Sequence, residues 1–103
     1  MKATNKAINT FCEALTKVAN ASFLKRGDTT NSVSFHPSKG GKVYVRIVQR
    51  SYCNGTACGD SAHCFVKLDD STLWKPAGWK GPAKNFPRGS VFDVPTTEYT
   101  GRS

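Results

Sequence analysis

The residues most able to do chemistry fall in two places, and the more unusual is the stretch from Leu73 to Arg88, LWKPAGWKGPAKNFPR. It holds both tryptophans, three of the five prolines, four cations and no acid. Two tryptophans do not belong in a free linker, and proline at this density excludes a long helix or a central strand. The stretch is therefore expected to be an ordered, extended loop, pinned by Trp74, Trp79 and Phe86. Lys75, Lys80, Lys84 and Arg88 should point to solvent. Cations interleaved with aromatic rings suit a polyanion: the charges track phosphates and the rings stack on bases.

The second place is the cluster Cys53, Cys58, His63 and Cys64, all within twelve residues. Zinc favours such ligands, but finger-type sites have a different spacing. Here His63 and Cys64 are adjacent in an alternating segment, and neighbours on a strand point to opposite faces. The expectation is two loop thiols and one core cysteine, with no metal and no cofactor. Catalysis is not expected either. The chain has only two histidines, and Asp69-Asp70 reads as turn chemistry. Lys39-Gly40-Gly41-Lys42 is too short for a phosphate loop and lacks the helix that would follow one.

These residues need a scaffold. From about Thr4 to Leu24, Ile8, Phe11, Cys12, Leu15, Val18, Ala19 and Phe23 recur at spacings of three and four and form one apolar stripe. Thr4 or Asn5 can cap the start, and Lys25-Arg26-Gly27 can stop the end. Val33 and Phe35 alternate with polar residues as a short strand, and Pro37 to Gly41 should turn it back. Lys42 to Arg50 is a strand with Val43, Val45 and Ile47 on one face and Tyr44, Arg46, Val48 and Arg50 on the other. Ser51 to Asp60 reads as a loop. Ala62 to Leu68 alternates again, with Ala62, Cys64, Val66 and Leu68 opposite His63, Phe65 and Lys67. Thr72 to Lys75 pairs back after the Asp69-Asp70-Ser71 turn, Ser90 to Val94 is a last strand, and Thr96 to Ser103 is a frayed polar tail.

The predicted architecture is thus one α+β domain over residues 1–103. An N-terminal amphipathic helix packs on an antiparallel sheet of four to five strands, and the Pro/Trp loop either covers the other sheet face or leaves it open. No apolar run approaches the roughly 20 residues that span a bilayer, and Asn9, Thr10, Glu13, Thr16 and Lys17 break any apolar signal segment near the N-terminus, so no membrane partner is expected. An intracellular setting would keep the cysteines as thiols. Net charge is +8, from 15 Lys and Arg against seven acids, which favours a polyanion or an acidic protein surface as partner. The candidate contact residues are Tyr44, Arg46, Phe65, Lys67, Lys75, Trp79, Lys80, Lys84 and Arg88. Nucleic acid is the first partner class this composition suggests, and an acidic host protein is the second.

A resemblance adds a setting. Gly41-Lys42-Val43-Tyr44-Val45-Arg46-Ile47, then Ala62 to Lys67, then Trp74-Lys75-Pro76-Ala77-Gly78-Trp79-Lys80-Gly81-Pro82-Ala83-Lys84, ending at Arg88 to Asp93, resembles a group of small tailed-bacteriophage proteins of unassigned function. The shared features are a strand ending in Phe-Val, a short acidic turn and the pattern KPAxWxxPAK. The resemblance covers Gly41 to Asp93 and leaves the cysteines outside the pattern. It implies a phage-encoded protein in the host bacterial cytoplasm and carries over no active site.

Overall fold

A computed structural model describes residues 3–38, 42–84, 87–97 and 100. Phe86 and the Lys39-Gly40-Gly41 turn, both singled out from the sequence, lie outside the described residues. The chain forms helix α1 (Asn5–Lys25) and strands β1 (Asn31–Ser38), β2 (Tyr44–Cys53), β3 (Thr56–Lys67) and β4 (Leu73–Trp74). The strands make an antiparallel meander in the order β1-β2-β3-β4, with α1 on one face, which is the expected α+β arrangement.

The helix ends follow from local chemistry. Thr4 Oγ1 accepts the Ala7 amide at 3.1 Å at the N-cap. At the other end Gly27, at φ +81°, lets its own amide reach the Leu24 carbonyl and the Asp28 amide reach that of Phe23, a Schellman stop. Ile8, Phe11, Cys12, Leu15 and Ala19 form the buried stripe. They pack against Val33, Phe35, Ile47, Cys64, Val66, Leu73 and Val91.

The polar helix residues have a use that the sequence did not disclose. β1 is an edge strand, and an exposed edge invites pairing with other chains. Here α1 covers it. Asn20 Nδ2 donates to the Val33 carbonyl and Asn20 Oδ1 accepts the Val33 amide, both at 3.0 Å. One turn earlier, Thr16 Oγ1 accepts the Phe35 amide at 3.0 Å while donating to the Cys12 carbonyl. Two side chains thus stand in for a neighbouring strand.

Several expectations need correction. Ser51 to Asp60 is not a loop: β2 and β3 continue through it to a two-residue turn at Asn54-Gly55, both in the left-handed region (φ 52° and 81°). β1 runs through Pro37, which an edge strand tolerates because its nitrogen need not join a ladder. Val43 precedes β2 and is exposed. Opposite Ile47 and Val48 a bulge inserts His63 as an extra residue, so Ala62 pairs with Val48 and Cys64 with Ile47. His63 therefore does not share the Phe65 face; its ring sits edge-on to Phe35, 4.8 Å between centroids. Ser90 makes a single bridge to Thr72 and Val91 to Asp93 turn, so no fifth strand forms among the described residues. Of the polar tail only Thr96, Thr97 and Thr100 are among the described residues, and they make hydrogen bonds. The amides of the first two donate to Thr100 Oγ1, and the Thr100 carbonyl accepts from His63 Nε2 at 2.8 Å. A carbonyl only accepts, so that nitrogen carries the proton.

Candidate polyanion-binding loop

The Pro/Trp stretch is ordered by backbone bonds at both ends. β4 pairs with β3 at Phe65 and Val66, while the Leu73 amide donates to the Gly89 carbonyl and the Arg88 amide to that of Leu73. Lys75 then bonds across to Ala83, and Ala77 to Gly81, with Pro76 bridged to Pro82. The chain doubles back and puts Gly78, Trp79 and Lys80 at its tip.

The base of the loop is held by a relay. Trp74 Nε1 donates to Thr72 Oγ1 at 2.7 Å, and that hydroxyl donates to Asp70 Oδ1 at 2.6 Å. The Thr72 amide also reaches Asp70 Oδ1. The Thr72 side chain and amide hold the Asp70 carboxyl below its ordinary range. The acidic turn thus serves the loop's geometry, as its turn-forming composition suggested.

The tip is held by Arg46. Its Nε donates to the Trp79 carbonyl at 2.6 Å, its guanidinium lies 4.3 Å from the Trp79 ring centroid, and a third contact reaches Ser38 Oγ at 3.2 Å. So the loop folds over the sheet face opposite α1, which settles the choice left open by the sequence.

This arrangement divides the nine candidate contact residues. Phe65 is only 3% exposed and cannot act as a stacking platform; it belongs to the packing under the loop. Arg46 is a pin for Trp79 more than a free cation. Tyr44, Lys67 and Arg88 are half-buried. Lys75, Lys80 and Lys84 are exposed, and among the described residues no ion pair engages them. Trp79 is 45% exposed, one ring face on Arg46 and much of the rest open. What the structure assembles is therefore a cationic loop with one half-open indole, smaller than the surface read from the sequence. The Arg46–Trp79 pairing had no local signal, because 33 residues separate the partners.

The cysteine and histidine cluster is split between two places. Cys64 and His63 are buried, whereas Cys53 and Cys58 are exposed at the end of the β2–β3 hairpin with their sulfurs 2.6 Å apart. Among the described residues no three metal-binding side chains group together.

Fold and loop define a small α+β protein, one helix on a four-stranded meander, that presents a braced basic loop. The chain belongs to a family of unknown function, DUF7717, whose model matches residues 1–100. No curated protein and no solved structure shows significant similarity to it.

Proposed function

We propose that the protein binds nucleic acid through the loop, with Lys75, Lys80 and Lys84 facing phosphates and Trp79 stacking on a base. One observation carries this reading: three exposed cations, with no ion pair to any of them among the described residues, and a half-exposed indole stand on one braced, acid-free loop of a chain with net charge +8. The bracing matters because a loop ordered in advance loses little freedom on binding. The phage resemblance supplies the proposed setting, the host bacterial cytoplasm. No catalytic role enters the proposal.

The test is binding of labelled single- and double-stranded oligonucleotides across a salt series. Affinity should fall steeply with salt, and K75A/K80A/K84A should reduce the slope of log affinity against log salt by about 2–3, one phosphate contact per lysine. Binding absent at low salt, or indifferent to the triple change, overturns the reading.

A protein partner is the second reading, and one observation favours it. Phe92 and Val94, 48% and 79% exposed, stand beside an open groove of about 350 Å³ lined by Ala7, Thr10, Phe11, Ala14 and Pro95. One host protein retained from nuclease-treated lysate, and lost on Phe92→Ser, supports that reading over the first.

A further inference from the structure

The four cysteines form two populations. Cys12 and Cys64 are buried in the core, where burial pushes the Cys12 thiol up to about 12 and raises that of Cys64 as well. Neither is positioned to react in the folded protein. Cys53 and Cys58 are exposed, and their sulfurs are in contact.

That contact follows from the hairpin. The Asn54-Gly55 turn pairs Cys53 with Thr56 and Tyr52 with Ala57. In a regular ladder Cys58 would be only a diagonal neighbour of Cys53. A second bulge removes the gap: Ser51 pairs with Gly59, so Cys58 is the extra residue and is turned toward Cys53. The tip is also tethered, since the Asn54 amide donates to the Thr30 carbonyl at 2.8 Å. Asp28 in turn braces that connection, accepting the amides of Thr30 and Asn31. The two thiols are held together by the backbone geometry of the paired hairpin.

We propose that Cys53 and Cys58 are a dithiol site at the hairpin tip that a low-molecular-weight disulfide oxidises reversibly to an intramolecular disulfide. One thiol, as thiolate, attacks a sulfur of the small disulfide, forming a mixed disulfide and releasing one small thiol. The second then attacks the protein sulfur of that bond and releases the second small thiol. The Cys53–Cys58 bond forms, the small disulfide's bond breaks and takes up two electrons, and the two thiol protons end on the released thiols. The Cys53 thiol beside it raises Cys58, so what favours the second step is the proximity of the two sulfurs. A reducing compartment keeps the site open, and an oxidising one closes it.

The folded protein is incubated with oxidised glutathione, quenched with N-ethylmaleimide and weighed intact. The reduced native protein should take up two maleimides, at Cys53 and Cys58, with Cys12 and Cys64 labelled only after unfolding. The oxidised protein should be a monomer lighter by two hydrogens, carry no maleimide, and regain both sites after dithiothreitol. Fragmentation of the tryptic peptide 51–67 should locate the link between Cys53 and Cys58. C53S should instead retain one glutathione on Cys58, because the resolving thiol is gone. Wild-type protein that keeps glutathione on both cysteines, forms mainly a disulfide-linked dimer, or leaves both thiols alkylatable after oxidation overturns the proposal. The wild-type arm decides the matter even if C53S does not fold.

Discussion

At the scale of single residues, the two tryptophans have separate tasks. Trp74 is half-buried, extends from β4 over the Phe65 face, and ends the relay through Thr72 to Asp70. Trp74→Ala removes both the packing and the relay donor. It should lower stability by about 2 kcal/mol, less than the cost for a fully buried ring. Chemical denaturation measures this. Trp79→Ala should cost far less stability, since its ring is nearly half exposed, yet weaken oligonucleotide binding. Arg46→Lys retains the charge but loses the planar fork that serves carbonyl and ring together. In a Trp74→Phe background it should red-shift Trp79 emission, and an unshifted spectrum would show that Arg46 does not hold the loop tip.

At the scale of elements, the helix does more than cover a face. Asn20 supplies the donor and the acceptor that β1 would otherwise seek from another strand. Asn20→Ala should cost about 1–3 kcal/mol, as expected when buried backbone groups lose partners, and should increase aggregation. Asn20→Asp is the sharper probe, because a carboxylate can accept the Val33 amide but cannot donate to its carbonyl. The turns carry a pH signature. Asp28 and Asp70 accept hydrogen bonds that hold their carboxyls below the ordinary 3.8 in the folded state. A lowered folded value means stability that is present above 3.8 and lost as pH falls below it toward the folded value. The stability gap between wild type and Asp70→Asn should therefore shrink as pH is lowered through that window, which denaturant midpoints across a pH series would show.

At the scale of the whole molecule, stability and charge are carried by different residues. Leu15 is 0% exposed within the cluster shared by helix and sheet, so Leu15→Asp should unfold most of the protein, visible as loss of the cooperative thermal transition. K75A/K80A/K84A should leave that transition nearly in place, since exposed charges contribute roughly 0–1 kcal/mol each. By itself the sequence determined the helix, its caps, the strand core positions Val33, Phe35, Val45, Ile47, Cys64 and Val66, and the ordered loop. Those features rest on interactions between residues a few positions apart, or on proline and glycine acting on their own backbone. The β2–β3 hairpin tip was not legible because neither face of Ser51 to Asp60 is buried, and alternation shows only where one face is buried. Only the tertiary structure decided that Arg46 pins Trp79, that Asn20 and Thr16 close the sheet edge, and that bulges turn His63 toward Phe35 and Cys58 toward Cys53. Each of these depends on strand register or on segments distant in the chain, and a one-residue change in register leaves the local pattern intact while moving a side chain to the other face.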